Sequence, residues 1–433
     1  MPEPSADSVG PVDLSERVHV LDALRGFALA GVFISNSLSW FSGRILLPRE
    51  QSLALAAPLL DTVVSSLYSL FIDQKFITLF SFLFGLGFSL QMTRAESRGV
   101  SIVPLYRRRL VVLLGIGAVH MFALWVGDIL STYALLGFVL LLFRKRTDRT
   151  LLTWALVLYL VMPPVIMAVQ TFGPVLVYGE EETARAAKVV RDEEAANRTA
   201  FLAGLASDSV VTSQQANLRF GVQGFSNPNR LLWLCIILGR FLLGMWAGRQ
   251  RLMQDVERHR KLLRRLVAWG LTAGGALGGA ALAVNLSHRG MAGWPPANPP
   301  LWMVVMRLLR EPGFLVMGAA YAAAFALLFQ KERWRKALSV FAPAGRMALT
   351  LYLMQTVVSL WLYDGWGLGL VGHLPASTCA LLTVVVFAVQ VGLSHLWLAR
   401  FRFGPVEWLW RSLTYGRAQP MRLASPSPAG ATH

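Results

Sequence analysis

Apolar segments of about 15 to 21 residues recur along this chain, separated by short runs rich in arginine and lysine. A helix needs about 20 apolar residues to cross the ~30 Å hydrocarbon core of a bilayer. Inside lipid, only helices and closed barrels satisfy every backbone N–H and C=O. The segments lie at about 22–42, 75–92, 110–126, 129–143, 151–170, 231–248, 266–286, 313–330, 346–363 and 377–397. They predict an all-α membrane protein, a polytopic bundle of about ten transmembrane helices.

The balance of charge agrees. Of 433 residues, 55% are hydrophobic and 15% charged, and the mean hydropathy is +0.51. Soluble domains carry about 25% charged residues. The net charge of +17 comes from 41 Lys and Arg against 24 Asp and Glu. In a soluble protein that excess would point to nucleic acid. Here the basic residues fill short loops, as the positive-inside rule expects of the cytoplasmic side. The expected partner is therefore the lipid bilayer, with no nucleic acid. Cys235 and Cys379 both lie in apolar segments, which is not a disulfide framework. The stretch before Leu21 holds Pro2, Pro4 and Pro11 with acidic residues, unlike the basic start and small-residue cleavage site of a signal peptide.

Loops 94–109, 144–150, 249–265 and 331–336 and the C-terminal segment are basic, and all fall on one side of a ten-span bundle. Segment 55–72 is apolar but contains Pro58, Asp61 and several serines. It reads either as an interfacial helix or as an eleventh span, which would put the N-terminus outside. The polar insert 175–229 is extracytoplasmic in both cases, and its charged stretch from Glu180 to Asn197 predicts a solvated helix. The span before it is expected to stop at Phe172-Gly173-Pro174, and 301–311 to form a short interfacial helix after the rigid Trp294–Pro300 loop. The chain thus divides into a disordered tail (1–16), an N-terminal bundle (17–172), the insert (173–230), a C-terminal bundle (231–417) and a second disordered tail (418–433).

Polar groups inside the apolar segments mark candidate sites. Asp22 and Arg25 are three residues apart, so a helix puts them on one face. Asn36 returns to that face eleven residues after Arg25, about 16 Å further along. Two readings stand: a helix cap with a snorkelling arginine, or the lining of a protein cavity. His120 is the one histidine well inside a span, eleven residues beyond Arg109 on the same face. It is either hydrogen-bonded to a neighbouring helix or a general base, a role that suits imidazole near neutral pH. Asp128 is either the N-cap of the next helix or the group that orients His120. Asp73 and Lys75 are interfacial charges or cavity groups. Tyr352, Gln355, Ser359 and Tyr363, spaced 3, 4 and 4, form a polar stripe with Arg346 near its start. Such a stripe faces a bundle interior or cavity.

Asp364-Gly365-Trp366-Gly367-Leu368-Gly369 follows a membrane helix and no strand, so it is not a dinucleotide loop. The chain has no Walker sequence, no HExxH and no CxxC, so no metal-ligand set is read and no bound cofactor is expected.

Arg17-x-x-x-Leu21-Asp22-x-Leu24-Arg25-Gly26-Phe27-Ala28, then Lys75-Phe76 to Leu79-Phe80-Ser81-Phe82-Leu83-Phe84-Gly85, resembles the YeiB-like family of bacterial membrane proteins. So do Gly117-Ala118-Val119-His120, Trp125-x-Gly127-Asp128-Ile129-Leu130 and Tyr133-Ala134-Leu135-Leu136-Gly137. The C-terminal half adds Gly345-Arg346-Met347-Ala348-Leu349-Thr350 to Tyr352-Leu353-x-Gln355, Gly367-Leu368-Gly369 and Phe403-Gly404-Pro405-x-Glu407-Trp408-Leu409-Trp410-Arg411. That family is similar to a superfamily of transmembrane acyltransferases, which move an acyl group from cytosolic acyl-CoA to an acceptor on the far side. The resemblance implies a bacterial cytoplasmic (inner) membrane, multi-pass, with both termini cytoplasmic and 55–72 along the outer surface. One feature departs from the heparan-acetylating member, whose catalytic histidine follows the motif-bearing span. Loop 43–54 has no histidine here, so His120 would act from another helix.

The expectation is a transmembrane acyltransferase with acyl-CoA as co-substrate and an extracytoplasmic acceptor. Arg25 and the basic run Arg107–Arg109 would hold phosphates, His120 would deprotonate the acceptor, and Asp128 would orient His120. Asp22, Asn36, Lys75, Arg346, Tyr352 and Gln355 would line the cavity. The alternatives are a permease or exporter of a small or lipophilic solute along the Tyr352–Tyr363 stripe, and a non-catalytic membrane scaffold.

Overall fold

The computed structural model describes residues 19–55, 59–225, 227, 229–288 and 300–423. The tail 1–16, the loop from Trp294 to Pro299 and the tail beyond 423 lie outside them. The described residues are helical throughout, with no strand beyond one isolated bridge, Phe401 to Arg422.

Helix α1 (His19–Asn36) runs into a π-helical turn, Ser37–Phe41. Short α2 (Arg49–Ala54) precedes α3 (Leu60–Leu67), a second π turn (Tyr68–Ile72) and α4 (Lys75–Ser97). Then α5 (Val103–Ala123) and α6 (Leu130–Leu142) form a tight hairpin. Helix α7 (Asp148–Leu156) passes through a π turn into α8 (Met162–Tyr178). The insert folds as α9 (Glu180–Leu205) and α10 (Val210–Phe225), followed by α11 (Asn229–Arg249). Helices α12 (Arg260–Trp269) and α13 (Gly275–Ser287) are joined by a π turn, and α14 (Leu301–Phe329) follows. Short α15 (Glu332–Leu338) and α16 (Ala342–Arg346) bend by 78° into α17 (Ala348–Tyr363). Helices α18 (Ala376–Leu398) and α19 (Pro405–Tyr415) close the bundle.

By length and apolarity, six of the described helical runs suffice to cross a membrane, or seven if the bent pair counts as one span. The expected ten is not reached on that measure. Helix α1 carries His19, Asp22, Arg25, Ser35 and Asn36 within 18 residues, α5 has Arg107–Arg109 near its start, and α6 has only 13 residues. Helices α1 and α6 are mostly buried in the bundle, whereas α5 exposes Val111, Val119 and Phe122. Ala23, Leu24 and Ala28 of α1 are fully buried, against α4, α14, α16, α17 and α18. Within segment 55–72, α3 and its π turn lead into α4 across a two-residue break at Asp73–Gln74.

Two prolines do not end helices as expected. Pro174 lies inside α8, which continues to Tyr178, and Pro312 lies inside α14, which joins 301–311 to the span after it. Each proline removes one backbone bond, a loss that packing within a bundle accommodates. Part of the expected C-terminal tail is also built in. Arg402 N–H donates to Met421 O at 2.8 Å, and Leu423 N–H donates to Arg400 O.

Small residues set the closest crossings, as in membrane bundles generally. A Cβ on Gly26 would stand 2.1 Å from Phe341 O, and one on Gly345 would stand 1.8 Å from Asp22 O. The backbones of α1 and α16 therefore touch at the motif that opens the chain. Gly85 and Gly244 do the same for α4 and α11.

Candidate functional site

A cavity of about 760 Å³ runs through the bundle between α1, α4, α5, α6, α17 and α19. One end is lined by seven arginines: Arg25, Arg94, Arg98, Arg109, Arg346, Arg402 and Arg411. Among the described lining residues, only Asp22 and Glu407 oppose them there. Arg25 donates to Asp22 Oδ1 at 3.1 Å, the pairing expected from their spacing. Arg109 donates to Gln91 Oε1 at 3.1 Å and lies 4.1 Å from the ring centroid of Trp410. The Trp410 indole N–H returns a bond to Arg109 O. Arg411 stacks over Phe403, and Arg346 donates to Arg402 O.

Glu407 is buried at this end and caps the N-terminus of α17. It accepts from Leu349 N–H at 2.7 Å, Thr350 N–H at 3.1 Å and the Thr350 hydroxyl. Burial pushes its carboxyl up, and the Thr350 bonds oppose that shift.

The middle of the cavity is apolar, with Leu29, Val32, Phe80, Phe84 and Leu113 on its wall. The far end carries Ser35, Asn36, Ser39, Trp40, Tyr68, Gln74, Trp125 and Asp128. Ser35 and Ser39 both bond the Tyr68 hydroxyl, at 3.2 and 2.8 Å. Gln74 has a left-handed backbone at φ 61°, an uncommon geometry for a residue with a side chain.

The α5–α6 hairpin brings His120 and Asp128 together. His120 Nδ1 lies 2.8 Å from Asp128 Oδ1, and His120 Nε2 lies 2.9 Å from Thr356 Oγ1 on α17. Asp128 also accepts from Leu130 N–H and Ser131 N–H, so it caps α6 while it holds the imidazole. One carboxylate thus meets both the first turn of α6, whose N-cap position is Ile129, and the imidazole. Asp128 lies on the cavity wall, whereas His120 and Thr356 stand one layer behind it. Tyr352, whose ring centroid is 5.1 Å from that of His120, covers them and faces the cavity.

Of the remaining candidates, Asp22, Arg25, Asn36, Arg109, Arg346 and Tyr352 line the cavity. Lys75 and Gln355 do not. Lys75 turns towards α14, where it lies 4.7 Å from the Phe314 ring, and it donates to Ser69 O in the π turn before its own helix. Gln355 donates to Gln390 Oε1 on α18. Ser359 and Tyr363 of the stripe are likewise buried between helices. Thr356 carries no strong mark in the sequence, whereas Glu407 and Arg411 fall in the C-terminal motif and Arg94 and Arg98 in the basic loop 94–109, where no cue in the sequence assigned them to a site. Thr356 shares a helix face with Tyr352, four residues on, and that is its one local signal. Among the described residues no group of His, Cys, Asp and Glu is arranged to hold a metal.

The insert is not a detached domain. Asn217 Oδ1 on α10 accepts from Val126 N–H at 2.8 Å, and Gln214 donates to Leu124 O. Ser213 donates to Asp364 Oδ2 at 2.7 Å. Helix α10 is therefore seated on the turn that carries Asp128.

Residues 247–417 match a family described as a protein of unknown function, DUF418. The chain is 37% identical to the uncharacterized protein YxaH of Bacillus subtilis (strain 168) over 430 residues, 96% of this chain and 98% of that one. It is 27% identical to the uncharacterized protein YeiB of Escherichia coli (strain K12), over 94% of this chain and 98% of that one. An uncharacterized 39.9 kDa protein in the amylase 3' region of Bacillus acidopullulyticus is also 27% identical, over 95% and 98% of the two chains. No solved structure matches. Likeness of this extent, running end to end, means that the chain belongs to the YeiB-like, DUF418-containing family of membrane proteins.

Proposed function

We propose that this protein is a transmembrane acyltransferase, which takes an acyl group from cytosolic acyl-CoA and delivers it to an acceptor hydroxyl or amine on the far side of a bacterial inner membrane. The arginine end of the cavity is then cytoplasmic, as are both termini. One observation carries the reading: a single cavity joins seven arginines at one end to Asp128, and through it His120, at the other. Guanidinium groups suit phosphates because they donate in a planar fork. The apolar middle suits an acyl chain, and the cavity volume lies in the range of ligand sites. His120 is the base and Asp128 fixes its tautomer, accepting from Nδ1–H so that Nε2 carries the lone pair.

The permease alternative drew on the polar stripe of α17. Three of its four side chains face other helices, so the stripe lends that alternative no support. The test is equilibrium binding of radiolabelled acyl-CoA to the purified protein in detergent. Saturable binding that weakens with added salt is expected, because the contacts are ionic. Absence of saturable binding would overturn the reading.

A further inference from the structure

Helix α12 is basic on one side and apolar on the other. At ~100° per residue, Arg260, Lys261, Arg264 and Arg265 fall within an arc of about 140°, and all four are exposed. Leu263, Leu266 and Val267 take the opposite side and pack on a core shared with α1, α4 and α14. On the basic side, Arg260 and Arg264 stand one turn apart, as do Lys261 and Arg265, and like charges at that spacing repel.

Helix α15 extends the same basic surface. A Cβ on Gly270 would meet Val316 O and Ala320, and one on Gly274 would meet Gly313 O and Met317. The α12–α13 run is therefore antiparallel to α14, and its basic start lies beside the end of α14 that leads into α15. There Arg333, Arg335 and Lys336 are exposed. The carboxylates nearby are already taken: Asp255 pairs with Arg251, Glu257 with Arg260 and Glu332 with Lys336. Among the described residues, Lys261, Arg264, Arg265, Arg333 and Arg335 form no ion pair.

Placement in the fold says what would balance these charges. Helices α12 and α13 make up the least buried of the six spanning runs, so its sides meet lipid. Trp269 of α12 and Trp334 of α15 are exposed, as aromatic residues are at a headgroup layer. Helix α15 continues to Phe341, whose carbonyl touches Gly26, so the basic surface is at the arginine end of the cavity. None of its five unpaired cations lines that cavity.

We propose that α12 and α15 form a shelf that binds the headgroup of an anionic phospholipid from the surrounding leaflet. Arg264, Arg265, Arg333 and Arg335 donate to the phosphate oxygens, Lys261 adds a point charge, and the acyl chains lie along the exposed side of α13. The bound anion relieves the repulsion along α12. The shelf is a second site, independent of acyl transfer.

The experiment is native mass spectrometry of the full-length protein in detergent, titrated with phosphatidylglycerol or with phosphatidylcholine of the same chains. Phosphatidylglycerol should be retained at concentrations at least ~10-fold lower, given the usual contribution of each basic residue to binding of anionic lipid. The triple change Lys261→Gln, Arg264→Gln and Arg265→Gln should weaken phosphatidylglycerol by at least ~10-fold and leave phosphatidylcholine unchanged. Arg264→Lys with Arg265→Lys should keep most of the preference. Arg333→Gln with Arg335→Gln, on the other helix of the shelf, gives an independent test if the triple variant is not monodisperse. Equal affinity for the two lipids, or a preference unchanged in both Gln variants, overturns the shelf. Loss of the preference in Arg109→Gln instead would place the lipid in the cavity, and displacement by millimolar inorganic phosphate would make this a site for free phosphate. Either result also overturns it.

Discussion

The carboxylate of Glu407 on α19 holds Thr350 on α17 by two groups at once, its backbone N–H at 3.1 Å and its hydroxyl. The pair links the C-terminal helix to the start of the bent span, where backbone donors have no partner in their own helix. Glu407→Ala leaves the Leu349 and Thr350 donors buried and unpaired, at an expected cost of about 2–4 kcal/mol. Glu407→Gln keeps one acceptor oxygen and should cost roughly half as much. Thermal unfolding in detergent measures both, and an unchanged midpoint for Glu407→Ala would remove the latch.

The contact between Gly26 and Gly345 makes a sharper claim. Either residue changed to Ala drives a Cβ into a backbone carbonyl, of Phe341 or of Asp22, and no side chain can move aside. Overpacking of this kind costs about 1–3 kcal/mol or more. A Cβ on Gly392 of α18 would have no heavy atom within 4 Å. Its change to Ala should be neutral or stabilising by about 0.5–1 kcal/mol, since Ala is the better helix former. The comparison requires Gly26→Ala to lose monodisperse protein on size exclusion while Gly392→Ala keeps it. Equal yields would show that the α1–α16 crossing has slack.

Much of this site is legible in the sequence because its cues are local. The Asp22–Arg25 pair, the return of Asn36 to the same face, and the His120–Asp128 hairpin all depend on spacing within one or two helices. The missing parts depend on contacts between distant helices. Thr356 lies 236 residues from His120, and only the packing of α17 against α5 brings them together. Lys75 and Gln355 show the same limit in reverse. A polar residue in an apolar span must find a partner, but spacing does not say whether that partner is a cavity or a neighbouring helix. Length and apolarity alone give six or seven spans rather than the expected ten for a related reason. Helices such as α1 and α6 are covered by protein, so they need neither the length nor the uniform apolarity of a lipid-facing span.

Arg240 on α11 is almost wholly buried, and it donates to Glu311 Oε2 at 3.2 Å and weakly to the Tyr159 hydroxyl. Removing one partner of a buried pair costs more than replacing the pair by apolar groups. Glu311→Ala should therefore destabilise by about 3–5 kcal/mol, the scale of an uncompensated buried charge. Adding Arg240→Met to that variant should restore most of the loss. A double-mutant cycle read by thermal unfolding decides, and additive losses would show that the two side chains are not coupled.

Asp364 lies in the loop after α17, where it accepts from Ser213 of the insert and from the Trp366 indole. Burial raises its carboxyl from 3.8 to about 6, against the pull of those two bonds. The folded protein thus holds this proton more tightly than the unfolded chain does. The resulting stability is fully present below about pH 4 and is lost as the pH rises through about 6. Its size is at most ~3 kcal/mol, from the free energy of moving one proton equilibrium by that amount. Asp364→Asn keeps an oxygen for Ser213 and cannot ionise. It should raise the unfolding midpoint at pH 7 and show a flatter profile between pH 4 and 6 than the unaltered protein. Because every other carboxylate is common to the two proteins, the difference between their profiles isolates Asp364. Parallel profiles would mean that its charge is already compensated in the folded state. A flatter profile would mean that the seat of α10 on the His120–Asp128 turn tightens as the pH falls.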